Sequence, residues 1–231
     1  MKISIIGAGH IGQALAQRWA EHGHDVRIAN SRGPDTLADV EKRTGARAGE
    51  AKDIVHGAEV IVLTIPLKNV ASLPSGLFAG VPDSVPVIDT CNYYPRERDG
   101  KIGGIEDGML ESRWVEKQIG RGVVKVFNNI YAAHLRDKGK PAGAAGRIAL
   151  PVSGDNAAKK AIVIDLVNDL GFDAVDNGAL DESWRHQPGT PVYATDRDVE
   201  GVRTALQSAP RARTEQWRAS TVSPGTYEDP Q

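Results

Sequence analysis

The chain opens on two contrasting hydrophobic patterns set end to end. Lys2 to Ile6 is a run of apolar, largely β-branched residues, and Ile11 to His22 carries its apolar residues at helical spacing, so the pair predicts a strand feeding a helix. The alternation continues: Asp25 to Asn30 reads as a strand, and Pro34 suits the first position of a helix running to about Thr44. Gly45 to Gly49 allows a short strand and Glu50 to Gly57 a short helix. Glu59 to Ile65 is uniformly apolar and β-branched up to Pro66, as in a strand buried on both faces. Lys68 to Asp83 predicts a helix interrupted by Pro74, Gly76 and Gly80, and Val85 to Asp89 the next strand. Arg96 to Gly108 is polar and glycine-rich, which predicts a loop. Leu110 to Ile119 predicts a helix, Val123 to Phe127 and Ile148 to Ser153 strands, Ala157 to Leu170 a helix closed by Gly171, and Asp173 to Asp176 a last strand.

Strands alternating with helices predict an α/β fold, a Rossmann-type doubly wound and mostly parallel sheet, over residues 1–178. Residues 179–231 are expected to be a short helical or extended appendage and tail, too small for an independent domain. At 231 residues the chain can bury a full core, and its hydrophobic content of 40% and charged content of 25% are ordinary for a globular protein. A net charge of −2 provides no basic footprint for nucleic acid. No apolar run approaches the length of a membrane span, and the opening segment reads as a strand, not a signal peptide. Cys91 is the single cysteine, so neither an internal disulfide nor a thiolate metal site is expected, and the expected location is cytoplasmic.

The junction of the first strand and helix reads Gly7-Ala8-Gly9-His10-Ile11-Gly12, a GxGxxG in the context that gives the pattern meaning. Gly7 permits a tight turn, Gly9 lets a pyrophosphate approach the backbone, and Gly12 lets the helix pack on the strand. Free N–H groups from Ala8 to Ile11, at the positive end of the helix dipole, suit a diphosphate. At the end of the second strand, where an acid would hold an adenosine ribose, the chain has Asn30-Ser31-Arg32. With no carboxylate to repel a 2′-phosphate and a hydroxyl and guanidinium to bind it, the expected nucleotide is NADP(H). Ligands of such sheets lie beyond the carboxyl ends of the strands, which brings Thr64, Ile65 and Pro66, then Cys91 and Asn92, toward the nicotinamide half. Asn128 and Asn129, after another strand, read either as turn formers or as groups that fix a carboxamide.

With GAGHIG, NSR, VLTIP, VKVFNN and PVSGD in this order, residues from Met1 to Gly178 resemble the NADP-dependent reductases of the 8-hydroxy-5-deazaflavin coenzyme, and also the reductase domain of eukaryotic metalloreductases. The resemblance implies that Gly7, Gly9 and Gly12 take the diphosphate, Ser31 and Arg32 the 2′-phosphate, and Ile65, Pro66, Cys91 and Asn92 the border of the nicotinamide. It implies a flavin or deazaflavin as second substrate. The segment from Glu182 to Tyr193 departs from the family in being polar and aromatic, which admits a quinone or small carbonyl compound as the hydride acceptor.

Direct hydride transfer between two cofactor rings asks the protein mainly to orient them, and no catalytic side chain is expected. There is no Ser/His/Asp order, no metal cluster and no Tyr-x-x-x-Lys pair. His10 either shields the cofactor or shapes the loop; His134 and His186 read as structural, and Cys91 as an inert buried thiol. One rival is a 3-hydroxy-acid dehydrogenase, which would need a longer second domain, or a carbonyl oxidoreductase; another is a non-catalytic NADP-sensing module. Trp217, Val222 and Tyr227 are spaced along a Pro- and Arg-containing tail from Gln207 to Gln231, expected to dock on a second subunit of a homodimer.

Overall fold

The computed structural model describes residues 1–212 and residue 230. The chain runs β1 (Lys2–Ile6), α1 (His10–Glu21), β2 (Asp25–Ala29), α2 (Ala38–Thr44), β3 (Arg47–Ala48), α3 (Ala51–Ile54), β4 (Val60–Leu63), β5 (Val87–Asp89), α4 (Gly103–Glu106), α5 (Glu111–Ile119), β6 (Val123–Lys125), α6 (Ala132–Asp137), β7 (Ala149–Val152), α7 (Ala157–Asp169), β8 (Asp173–Asp176) and α8 (Val199–Gln207). Six strands form one parallel sheet in the order β3-β2-β1-β4-β5-β6, the doubly wound order expected.

The β-branched strands of this sheet are buried on both faces, and their side chains divide between two cores with the period of two that a pleat imposes. Along β4, Val60 and Val62 enter one core while Ile61 and Leu63 enter the other. Trp19 of α1, fully buried, meets the Phe127 ring edge to face with centroids 5.9 Å apart, pinning the first helix to the end of β6.

β7 and β8 pair with each other in a separate two-stranded parallel sheet joined by α7. An antiparallel bridge between Lys125 and Ser153 fastens this unit to β6. Asn156 caps α7 by accepting from the Lys159 N–H, and Asp198 caps α8 by accepting from the Gly201 N–H. Val202, Ala205 and Leu206 of α8 then pack on Ala149 and Val175, closing a small core over β7 and β8.

Several elements differ from the sequence pattern. Lys68 to Asp83 is not a long helix: a 3-10 turn spans Leu67–Ser72, and Gly76 and Gly80 at φ of 73° and 76° keep the rest in turns. Arg96 to Gly108 is not a plain loop but a π-helical turn, Pro95–Asp99, followed by α4. Its order comes from buried Asp99, which accepts from the Tyr94 N–H at 2.8 Å and pairs with Arg98 at 2.9 Å, contacts that periodicity cannot register. Of the expected docking arm, residues 213–229 and 231 lie outside the described residues. Just before them, Ala209 is buried and the Arg211 guanidinium stands 5.9 Å from the Trp184 ring. Among the described residues no helix is long and apolar enough to cross a membrane.

Candidate nucleotide site and its C-terminal wall

The three glycines of the loop behave differently. Gly7 leaves β1 at φ 121°, and a Cβ there would lie 2.0 Å from the Thr64 carbonyl oxygen; a Cβ on Gly12 would lie 2.1 Å from the Gly7 carbonyl oxygen. The protein's own backbone therefore excludes side chains at both. Around Gly9, by contrast, a Cβ would meet nothing within 4 Å. Bareness at Gly9 serves an approach from outside the chain. Gly9 also caps α1 with no side-chain hydrogen bond, and the first turn carries no acid, so the leading N–H groups and the dipole face the open side together. These observations fit a dinucleotide diphosphate. Gln13 braces the loop by donating to the Ala8 carbonyl at 2.7 Å, and Arg43 donates to Gln13 at 2.6 Å, a support the sequence reading missed.

At the end of β2, the Asn30 side chain folds the following loop: it donates to Thr36 Oγ1 at 2.8 Å and accepts from the Arg32 N–H at 2.9 Å. Ser31 and Arg32 are left exposed at the loop tip, and among the described residues no ion pair holds the Arg32 guanidinium. Ala8 and Ile11 are half-buried against the core, while His10 is exposed and lines a cleft of about 390 Å³ with Arg43 and Arg136.

The ends of β4, β5 and β6 come together as the parallel order requires. Thr64 donates its N–H to the Ile6 carbonyl at 2.9 Å, and Ile65 and Pro66 follow it half-buried. Cys91 is buried; desolvation pushes its thiol well above the usual range and the Asp89 carboxylate adds to this, so it is no nucleophile. Beside it lies a feature absent from the sequence reading. Asp89 and Lys125 form a buried ion pair at 3.1 Å, Ser112 donates to Asp89 at 2.9 Å, and the Lys125 ammonium also donates to the Cys91 carbonyl.

Asn92 and Asn128 meet directly. Asn128 Nδ2 donates to Asn92 Oδ1 at 3.0 Å, and Asn92 Nδ2 to the Asn128 carbonyl at 2.8 Å. Asn128 is buried and its amide is otherwise engaged by His186, whose carbonyl accepts at 2.7 Å and whose Nδ1–H donates at 2.9 Å. His186 Nε2 accepts in turn from Ser153 Oγ at 3.0 Å. Burial, with Lys125 second, pushes His186 down to about 3 and keeps it neutral. The Ser153–His186–Asn128 order imitates an acyl-transfer array, but Ser153 and His186 are both 0% exposed, so it is a structural joint. The neighbouring Asn129 Oδ1 is buried with no hydrogen-bond partner. His134 pairs with Asp196 at 2.8 Å on the surface, a structural placement.

The polar and aromatic segment from Glu182 to Tyr193 closes over these strand ends. A 3-10 turn, Leu180–His186, seats His186; the Ala194 N–H then donates to the Asn129 carbonyl at 2.9 Å. Ala194 at one end of that tether has φ 53°, and Phe127, two residues before the other end, has φ 62°; both lie in the left-handed region. The Tyr193 hydroxyl meets the Tyr94 hydroxyl, and the Arg98 guanidinium lies 5.0 Å from the Tyr94 ring centroid while donating to the Asn92 carbonyl at 2.6 Å. Residues 181–194 thus form the second wall of the site, which only the tertiary arrangement assigns.

Parts of the chain are similar to known proteins. Residues 2–93 match the family model described as NADP oxidoreductase coenzyme F420-dependent. The protein YjhV of Escherichia coli (strain K12) is 43% identical over 83 residues, 36% of this chain and 58% of that protein, so the chain spans little more than half the length of this curated relative. The crystal structure of a hypothetical protein, SMa0349, from Sinorhizobium meliloti is similar at 33% identity and a TM-score of 0.71, over 84% of this chain and 94% of that one. A "putative F420-dependent NADP-reductase" from Arthrobacter sp. FB24 is similar at 25% identity and a TM-score of 0.63, over 79% and 87%.

Proposed function

We propose that this chain, whose residues 2–93 match the family model described as NADP oxidoreductase coenzyme F420-dependent, transfers a hydride between NADP(H) and a small, flavin-like acceptor. The observation that carries the reading is the contrast among the loop glycines: two are imposed by the chain's own backbone, and Gly9 is bare toward open space at an uncapped helix end.

Bound NADPH supplies the hydride. The N–H groups of the Gly9–Gly12 turn hold the diphosphate, and Ser31 and Arg32 hold the 2′-phosphate on the loop that Asn30 shapes. Ile65, Pro66 and Asn92 border the nicotinamide. Asn128 is spent on the joint with His186, while the neighbouring Asn129 keeps a buried Oδ1 without a hydrogen-bond partner. The wall from Trp184 to Tyr193 shields the second substrate from water, which favours direct transfer by fixing the two rings in register.

The test pairs binding with turnover. Isothermal titration is expected to show NADPH preferred over NADH, and NADPH oxidation is expected with at least one of a deazaflavin, FMN, FAD, quinones or small aldehydes. Tight binding with no turnover across that panel would replace the enzyme by a nucleotide-sensing module.

A further inference from the structure

Two phenols, one on the wall and one beyond β5, meet through their hydroxyls. Their neighbour Tyr93 shows what a structural tyrosine looks like here: its hydroxyl donates to Glu106 at 2.8 Å or to the Gly100 carbonyl at 3.0 Å and accepts from the Ile102 N–H at 3.0 Å. Tyr94 and Tyr193 instead spend their hydroxyls on each other, half-buried, one beyond the end of β5 and the other on the C-terminal wall. Asn92 Nδ2 lies 3.4 Å from the Tyr94 oxygen, which ties the pair to the residue bordering the nicotinamide.

Resting on the hydride-transfer reading above, we propose that Tyr94 is a proton donor to the hydride acceptor, with Tyr193 relaying protons to it. The acceptor is then one that takes a hydride at one atom and a proton at a heteroatom, through a C=O or C=N bond or through a conjugated flavin-like ring. Three neighbours make Tyr94 the better acid of the two. Its oxygen can accept from Asn92 Nδ2 and from the Tyr193 hydroxyl, and the Arg98 cation stands over its ring, so a phenolate there is stabilised from three sides. Among the described residues no such cation stands over the Tyr193 ring. Burial raises both phenols; Glu97 and Glu111 oppose ionisation of each, and Arg98 and the Tyr193 bond offset this only at Tyr94. Asp99 is neutralised by Arg98 and holds the Tyr94 N–H, fixing the backbone of the donor.

The C4–H bond of the reduced nicotinamide breaks and its electron pair forms a new bond to hydrogen on the acceptor. As negative charge develops on the heteroatom, the Tyr94 O–H bond breaks and the proton passes to it. The Tyr94 phenolate takes the Tyr193 proton, and water restores Tyr193.

The experiment compares the full-length protein with Tyr94→Phe and Tyr193→Phe on two probes. Reduction of para-nitrobenzaldehyde needs a proton; hydride transfer to the N-methylacridinium cation yields a neutral product and needs none. Tyr94→Phe is expected to slow aldehyde reduction by roughly a hundredfold or more, the usual effect of losing a general acid, and acridinium reduction by less than about threefold. Tyr193→Phe should slow the aldehyde less than Tyr94→Phe does and also spare the acridinium. NADPH affinity by isothermal titration should stay within about threefold of the wild type in both variants. Equal slowing of both probes, or an unchanged aldehyde rate in Tyr94→Phe, would overturn the proton-donor role while leaving hydride transfer intact. A wild type that binds NADPH yet reduces neither probe would overturn this proposal, and the functional reading with it only if the deazaflavin, flavin and quinone panel also gives no turnover.

Discussion

The Asp89 carboxylate and the Lys125 ammonium lie 3.1 Å apart at adjacent strand ends, each at most 1% exposed. Two charges withdrawn from water cost several kcal/mol each, and only their mutual attraction and the added bonds from Ser112 and to the Cys91 carbonyl offset that cost. The pair fixes β5 to β6 directly below the candidate nicotinamide site.

Breaking the pair from one side leaves a buried charge uncompensated. Lys125→Met is expected to lower stability by about 3–5 kcal/mol, with Asp89→Asn/Lys125→Met recovering much of the loss. Urea unfolding of the single and double variants checks this, and a double variant no more stable than the single would contradict it.

Alanine at the loop glycines should separate fold from ligand. Gly7→Ala and Gly12→Ala, whose methyl groups would lie 2.0 and 2.1 Å from backbone oxygens, are each expected to cost at least about 2 kcal/mol. Gly9→Ala should cost about 1 kcal/mol or less, since alanine is only a poorer helix cap, yet weaken NADPH binding. Equal NADPH affinity in Gly9→Ala and wild type, by isothermal titration, would show that the diphosphate does not approach there.

Arg32 should set the choice of nucleotide. A charge-assisted bond to the 2′-phosphate is worth about 1.5–3 kcal/mol, so Arg32→Ala is expected to erase most of the preference for NADPH while leaving NADH affinity nearly unchanged. Parallel titrations with both nucleotides read the difference; a preference that survives the substitution would place the 2′-phosphate elsewhere.

His186 should make the fold acid-sensitive. Burial and Lys125 push it down to about 3, below the unfolded value of about 6.5, so as pH falls the unfolded chain binds the proton first. Its contribution is complete above about pH 6.5 and is lost as pH drops toward 3, at up to about 1.4 kcal/mol per pH unit. Urea midpoints measured between about pH 7 and pH 5 should fall in the wild type and fall less steeply in His186→Gln. Equal slopes would assign the acid sensitivity to other groups.

The nucleotide half was legible because its information is local. Strand, glycine turn and helix follow one another within Lys2 to Glu21, and the residues proposed to answer the 2′-phosphate sit together at Ser31 and Arg32. Spacing along the chain determines such features, since the groups that cooperate are near neighbours in sequence. The uniform burial of β4 likewise follows from its β-branched run, because a strand covered on both faces has no polar position to alternate with.

The other half of the site was decided by tertiary structure. Asp89 and Lys125 are 36 residues apart, Ser153 and His186 are 33, Asn128 and His186 are 58, and Tyr94 and Tyr193 are 99. Each pair is brought together by a strand crossover or by the return of the C-terminal segment, so no periodicity announces it. In the sequence Lys125 resembles a surface lysine, His186 a lone histidine and Tyr193 part of an unassigned polar stretch. Their roles come from burial, which makes each polar group find a partner, and the partner is chosen by the order in which parallel strands and their crossovers stack.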